Sequence, residues 1–283
     1  MKKTLIAATL AGAFLIPATS AMADDAAPAA AAAEAPAAPA SPLTFNVGVV
    51  SDYIFRGISQ THGDPAIQGG IDYAFSNGFY IGTWASNVSW VKNWVGKGSV
   101  EIDIYGGLRN SFAGGDWNYD VGVITYNYPG HGDSNAGLAN PNTTEVYGAL
   151  GYKWVSVKYS RTESSHFVGW YDPANGGNTD GSGYAEVNGS YDLGGGWGIA
   201  AHAGHQKVEH RPTASYTDWK LGVTKDVGFG VVGLAYTSTN AQGKCSAGQD
   251  YCWGKNTNAA GFPTTNLKDV SKDKLLLTFL KTF

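Results

Sequence analysis

Apolar and polar residues alternate in about twelve segments of this chain, and no other feature constrains the fold as strongly. In the first segment, every second residue from Leu43 to Val49 is apolar, and the residues between them are Thr44, Asn46 and Gly48. Because successive side chains of a β-strand point to opposite faces, a period of two is typical of strands with one apolar and one polar face. The chain is therefore predicted to be all-β.

The connections between these segments alternate between short and long. The predicted strands span about 43–52, 65–75, 78–89, 99–110, 116–127, 143–152, 154–163, 183–192, 196–206, 215–226, 229–239 and 272–283. Bacterial outer-membrane barrels show this alternation, with short periplasmic turns and longer extracellular loops. We therefore predict a single antiparallel transmembrane β-barrel of about twelve strands, with its apolar face toward outer-membrane lipid.

A soluble β-sandwich or lipocalin-like barrel also has alternating strands, but it has no reason to alternate its loop lengths. Aromatic residues near the predicted strand ends also favour the membrane barrel, because Trp and Tyr form girdles at both membrane interfaces. The predicted girdle residues are Trp84, Trp117, Tyr119, Trp154, Trp197 and Trp219. The sequence has no apolar run of about eighteen residues, which excludes transmembrane helices.

The start of the chain predicts export. Lys2 and Lys3 precede a short apolar run, and Ala21-Met22-Ala23 matches a cleavage site, so residues 1–23 are predicted to be a signal peptide. Residues 24–42 are mostly Ala and Pro and are predicted to be a periplasmic leader that cannot form a core. The barrel is predicted to span 43–283.

The last predicted strand ends on an aromatic residue, as the closing strands of bacterial outer-membrane proteins do. Leu275, Leu277, Phe279 and Phe283 share one face of it. A free edge of this kind is an aggregation hazard, so we expect the last strand to pair with the first. This strand is also the segment that the barrel-assembly machinery is expected to engage.

Charge and cysteine content restrict the partners and the compartment. Without Lys2 and Lys3 the chain has 17 basic and 23 acidic residues, a net charge of −6, which argues against a nucleic-acid partner. Cys245 and Cys252 lie close together in a chain predicted to be exported, where an even number of cysteines indicates a disulfide.

Three segments near the start of the predicted barrel carry a family resemblance. They are Ser51-Asp52-Tyr53-Ile54-Phe55-Arg56-Gly57-Ile58-Ser59-Gln60, then 65–70, then 78–88; the later 100–107 has the same style. The chain resembles the TorF family of bacterial outer-membrane β-barrels, catalogued as proteins of unknown function. The resemblance implies a barrel and a pore and supplies no binding residue. Lys281 departs from the aromatic residue usual near the end of a closing strand.

The polar faces of the predicted strands supply candidate pore-lining residues, which are Asp52, Arg56, Asp72, Glu101, Asp103, Arg109, Asp120, Lys158, Glu186, Asp218 and Lys220. Asp52 and Arg56 fall near the outer mouth. They are either a constriction that contacts solute or a structural pair that anchors the first loop to the wall, and we favour the second interpretation. Six acidic against three basic residues on the strands predict a mild cation preference.

A barrel of this size permits three functions. The first is a porin-like channel for passive diffusion of small polar solutes or ions. The second is a non-conducting surface barrel acting in adhesion or envelope structure, suggested by the long loop at 240–271. The third is an outer-membrane hydrolase, for which no G-x-S-x-G motif is present. We expect no enzymatic activity, cofactor or metal; His202 and His205, three residues apart on one strand, point to opposite faces.

Overall fold

A closed β-barrel forms the body of the protein. The computed structural model describes residues 41–95, 98–130, 139–172, 177–254 and 265–283. The strands in these residues are β1 (Leu43–Val50), β2 (Ile54–Phe55), β3 (Ile58–Ser59), β4 (Ala66–Ala74), β5 (Phe79–Asn87), β6 (Val100–Phe112), β7 (Trp117–Asn127), β8 (Thr143–Tyr152), β9 (Val155–Thr162), β10 (Gly183–Gly194), β11 (Trp197–Lys207), β12 (Tyr216–Asp226), β13 (Val231–Thr239), β14 (Cys252–Trp253), β15 (Lys268–Asp269) and β16 (Lys274–Thr282). The short helix α1 spans Trp90–Val95, and 3₁₀ turns occur at Ala113–Gly115, Pro212–Ala214 and Cys245–Ala247.

Twelve strands make up the barrel, each antiparallel to both of its neighbours. They follow one another in the order β1, β4 to β13 and β16, and β16 then pairs with β1. The closing register sets Asn46 opposite Thr282 and Val50 opposite Thr278. The predicted all-β barrel of about twelve strands is confirmed, and the predicted strand ends lie within a few residues of the observed ones. Closure leaves no unpaired edge between the first and last strands.

The barrel is apolar outside and polar inside. Along β1, the apolar side chains from Leu43 to Val49 are exposed, and Ile67, Val157 and Leu275 are more than half exposed on other strands. The alternate residues, including Asp72, Glu101 and Asp103, are buried in the lumen. Since a folded chain in water buries its apolar residues, this distribution requires an apolar medium around the barrel.

The two ends of the barrel differ in the length of their connections. Five short turns, at 75–78, 113–116, 153–154, 195–196 and 227–230, define the short-turn end, and the other six connections define the long-loop end. Gly78 is required at its turn because its φ is +91° and a Cβ there would lie 2.6 Å from the carbonyl oxygen of Arg109. In the described residues, helices long and apolar enough to cross a membrane are absent.

One predicted girdle residue lies inside the barrel. Trp84 is 3% exposed because its position on β5 shares the inward parity of Tyr80 and Ser86, so its assignment to the girdle is wrong. Trp117, Trp154, Trp197 and Trp219 are exposed near strand ends, as expected. The predicted signal peptide and nearly all of the predicted leader lie outside the described residues.

Candidate functional site

The connection between β1 and β4 folds into the barrel. We call residues 51–64 the plug, because every residue from Asp52 to His62 is buried within the long-loop half of the lumen. Its tip is the small hairpin of β2 and β3, in which Phe55 pairs with Ile58. Buried backbone groups need partners, and here the Ser59 amide donates to the Val270 carbonyl and the Gln60 amide donates to the Tyr53 carbonyl.

Arg56 carries the plug to the far wall. Its guanidinium donates to both carboxylate oxygens of Glu145 on β8, at 3.1 and 2.7 Å, and to Gln206 Oε1 on β11 at 2.9 Å. It also lies over the Tyr184 ring at 4.3 Å from the centroid. The Arg56 and Glu145 side chains are both fully buried, so water does not screen this bidentate pair.

Gly57 allows the plug tip to reach the opposite wall. Its φ is +79°, and a Cβ at this position would lie 2.7 Å from Cβ of Asp218 on β12. Arg56 has a positive φ of 47°, which is unusual for a residue with a side chain. The plug backbone is therefore bent into its tip conformation where it touches the wall.

Asp52 fixes the start of the plug. Its Oδ1 accepts hydrogen bonds from the hydroxyls of Ser59 at 2.6 Å and Thr61 at 2.9 Å. Lys274, at the start of β16, donates to Oδ2 at 2.7 Å. Asp52 and Arg56 do not pair with each other here; each binds a different residue of the barrel wall.

Aromatic side chains seat the plug against β5 and β7. Tyr53 packs edge-on against Trp84, and Phe55 packs edge-on against Tyr126, each with 5.5 Å between ring centroids. Edge-to-face contacts of this kind add to the stabilisation from burial alone. The plug is therefore held by apolar packing as well as by its charged contacts.

A second layer, formed by the long loops, covers the plug. Tyr251 packs edge-on against Trp170 and Tyr216, and the hairpin of β14 and β15 places Trp253 beside it. Burial, with Asp250 nearby, raises the pKa of Tyr251 well above its ordinary value. The hydroxyl is thereby kept as a donor, and it donates to the Ala214 carbonyl at 2.5 Å.

The predicted disulfide is confirmed and lies in this cover. Cys245 and Cys252 are joined at a sequence separation of 7. The bond ties the 3₁₀ turn Cys245–Ala247 to β14, which carries Trp253. It therefore stabilises the part of the cover that packs on the aromatic layer.

Two small cavities lie beside the plug. One cavity of about 30 Å³ lies between the plug and its cover, with Phe55, Trp90 and Trp253 in its lining. A second, of about 10 Å³, lies beside Asp52. Cavities of this size hold a water molecule or two and are far below the volume of a solute site. Among the described residues, the plug therefore occupies the long-loop half of the lumen, with these two small cavities beside it.

The lumen toward the short turns is polar and hydrogen-bonded. The Tyr80 hydroxyl donates to Asp120 at 2.7 Å and contacts the Tyr147 hydroxyl, and the Arg109 guanidinium lies 4.6 Å from the centroid of the Tyr80 ring. Lys158 lies 3.5 Å from a Glu186 carboxylate oxygen. Acids and bases thus alternate around this part of the wall.

His202 connects this wall to the level of the plug. Its Nε2 lies 3.0 Å from Asp218 Oδ2 and 2.8 Å from the Tyr184 hydroxyl, and its Nδ1 lies 2.7 Å from Asn188 Oδ1. His205 is exposed on the other face of β11 and contacts Thr217. Among the described residues, no three His, Cys, Asp or Glu side chains converge on a metal position.

All eleven candidate pore-lining residues face the lumen or lie in the plug. Eight of them are buried, and the exceptions are the half-buried bases Arg109, Lys158 and Lys220. In the strand register, Asp120 lies directly opposite Arg109 and Glu186 lies directly opposite Lys158, so acids and bases occupy the same level of the wall.

Several residues that hold the plug were not predicted from the sequence, among them Glu145, Gln206, Tyr184 and Lys274. Each lies on the inward parity of its strand, so strand periodicity could have placed them in the lumen. Their role could not be seen, because Arg56 is 89 residues from Glu145 and 150 from Gln206.

One protein family matches most of this chain. The family described as "Bacterial protein of unknown function (Gcw_chp)" matches residues 34–263. A comparison of the sequence with curated proteins found no match.

Several solved outer-membrane channels are distantly similar. The KdgM porin in complex with disordered oligogalacturonate is 8% identical, with a TM-score of 0.48 over 85% of this chain and 98% of that chain. The NanC porin is 10% identical, with a TM-score of 0.46 over 85% and 98%. An outer membrane channel from Pseudomonas putida F1 is 12% identical, with a TM-score of 0.46 over 87% and 97%. Because these TM-scores are below 0.5, the fold assignment rests on the strand pairing of this protein and not on the similarity.

Proposed function

The chain belongs to the Gcw_chp family of bacterial proteins of unknown function, and we propose that it is an outer-membrane channel for passive diffusion of small polar solutes or ions, closed by its plug. The observation that carries this proposal is a lipid-facing, closed barrel whose polar lumen contains a segment of its own long-loop end. Diffusion through such a barrel requires the plug to move.

The outer membrane is the location that this barrel fits. Strands with exposed apolar faces and fully paired backbones can cross hydrocarbon, where unpaired N–H and C=O groups are costly. Leu275 and Leu277 are exposed on β16, Phe279 lies on the same face, and Phe283 is exposed directly after the strand, which leaves this outer face available to lipid and to the barrel-assembly machinery. The resemblance to the TorF family, which the Ser51–Gln60 segment suggests, stays a prediction.

A mild cation preference follows from the lumen charge. On the strands, the candidate residues are six acids against three bases, and acidic pore linings favour cations. We test the proposal with purified protein in planar bilayers and liposomes. We expect discrete current steps, a reversal potential displaced toward the cation equilibrium under a salt gradient, and swelling with small polar solutes. If neither the wild-type protein nor plug variants produce current steps in any of several salts, the channel proposal is contradicted.

A non-conducting barrel is the second candidate, and the filled long-loop half of the lumen is the observation that favours it. Tyr53, Phe55 and Arg56 are buried, each at most 7% exposed. In that case the plug is a permanent structural element, and the long loops present a surface for adhesion. Deleting the loop at 240–271 should then abolish a surface interaction without changing solute uptake.

A further inference from the structure

Three carboxylates meet one guanidinium at the depth of the plug. Glu101 and Asp103 extend from β6 and Glu145 extends from β8, and all three are at most 2% exposed. Asp103 interacts electrostatically with both of the others. Arg56 is the base in this layer, and its guanidinium is held by Glu145 and Gln206. If every carboxyl were ionised, three negative charges would face one positive charge.

Two of the three carboxylates have donors. Glu101 accepts a hydrogen bond from the Tyr53 hydroxyl of the plug at 2.7 Å. Glu145 accepts from Arg56, and the Tyr126 hydroxyl lies 3.3 Å from its Oε2. Hydrogen bonds therefore replace water at both of these carboxyl groups.

Asp103 differs from both. Within the described residues, neither of its carboxylate oxygens has a hydrogen-bond partner, and the residue is fully buried. Its neighbours across β5 and β7 are Trp84 and Tyr126. A buried carboxylate without a donor or a counter-charge is far more costly in its ionised form than in its neutral form.

We propose that Asp103 is a proton-binding site, and that the proton it holds keeps the plug seated. When the plug leaves and water enters, the carboxyl releases that proton to bulk water and becomes the ionised wall of an open lumen. No other covalent bond changes, and the hydrogen bonds that the plug makes with the wall are exchanged for bonds to water. This inference rests on the proposed channel only for its effect on current; the coupling between proton and plug stands without it.

The groups that face Asp103 determine the direction of the effect. From β6 they are Glu101 and Tyr105, from β7 Tyr126, from β8 Glu145, from the plug Tyr53, and from the residues after β7 Tyr128. All of these are acids or phenols, and the positive charge in this layer, Arg56, is bound by Glu145 and Gln206. The seated state binds one proton more than the open state, and a rise in pH therefore favours opening.

The pH range follows from the open state. A carboxyl in water ionises near pH 3.9. Well below that pH, Asp103 holds its proton whether the plug is seated or open, so a change in pH does not shift the balance between the two states. Above about pH 4, release of one proton increases the open fraction by at most about tenfold per pH unit.

Accessibility of the plug tests the coupling directly. Ile58→Cys places a thiol in the buried plug tip, and its labelling rate by a membrane-impermeant thiosulfonate is measured in liposomes from pH 5 to pH 8. Each rate is divided by the rate in the same variant with Asp103→Asn, which cancels the ionisation of the thiol. We expect this ratio to rise with pH by several-fold. Asp103→Leu, an apolar replacement, serves where Asp103→Asn folds poorly.

Asp72→Asn is the matched control. Asp72 is another buried acid, but it accepts a hydrogen bond from the Tyr105 hydroxyl at 2.7 Å, so this variant should keep the wild-type pH response. A ratio that stays constant with pH overturns the inference, as does labelling that follows alkali or divalent cation concentration at fixed pH. If the ratio rises and every membrane stays silent, the proton site stands and the channel fails. If the current responds to pH equally in the wild-type protein and in Asp103→Asn, the channel stands and the proton site fails.

Discussion

Arg56 concentrates the interactions of the plug in one side chain. Its guanidinium forms an ion pair with Glu145, lies over the ring of Tyr184, and donates a further hydrogen bond to Gln206. Buried ion pairs contribute little on balance compared with apolar packing, but removal of one partner leaves an uncompensated charge. This residue is therefore the position where a single substitution should affect the seated plug most.

Arg56→Ala should unseat the plug. It leaves Glu145 buried without its counter-charge, a cost of about 3–5 kcal/mol. We expect a larger open fraction in planar bilayers and faster protease cleavage within 51–64. Arg161→Ala is the control, because Arg161 and Glu163 form an exposed ion pair, and water and salt screen such pairs so that they contribute little to stability. Equal behaviour of the two variants would contradict the assigned role of Arg56.

Gly57→Ala should displace the plug tip from β12. The new methyl group would have to enter the 2.7 Å space beside Asp218, in a backbone conformation that alanine disfavours. We expect a larger open fraction in planar bilayers, or faster thiosulfonate labelling of Ile58→Cys in the plug.

Gly130→Ala separates strain from contact. Gly130 has nearly the same φ, +77°, and no atom of the described residues lies within 4 Å of the position that its new methyl group would occupy. It should lose about 1–2 kcal/mol by strain alone and leave the plug seated. A matching effect in both variants would mean that the wall contact of Gly57 is unimportant.

At the scale of elements, the period of two determined most of the fold. Parity along each strand places Asp72, Glu101 and Asp218 in the lumen and Leu43 or Leu275 outside, so strand number and facing could be predicted from the sequence. The plug could not, because parity ends with β1 at Val50. The position of Trp84 was missed for a related reason: an aromatic residue near a strand end fits a girdle unless its parity is counted.

The cover should depend on the Cys245–Cys252 disulfide locally. A bridge that closes so short a loop is worth about 2–3 kcal/mol in the chain-entropy estimate. Reduction, or the double variant Cys245→Ala and Cys252→Ala, should therefore increase protease nicking between Gln242 and Trp253 and leave the barrel folded. Adding reductant to the double variant should change nothing. Loss of the folded barrel on reduction would show that the bridge supports more than the cover.

At the scale of the whole molecule, the apolar and polar surfaces lie opposite to where a water-soluble protein has them, with the apolar surface outside and the polar surface inside. The outer wall is apolar along all twelve barrel strands, and the polar residues line a lumen that the plug fills from one end. The outward face explains why lipid or detergent is needed, and the filled lumen explains why passage through the proposed channel must be gated.

The conductance of a plug-replaced barrel tests the proposed closed channel most directly. Residues 53–62 are replaced by ten residues of Gly and Ser, which preserves the chain length and removes every buried side-chain contact of the plug tip. In planar bilayers we expect sustained open current from this variant, and from the wild-type protein a mostly closed trace with occasional steps. Indistinguishable traces from the two proteins would contradict the proposal, because the plug would then not lie in the path.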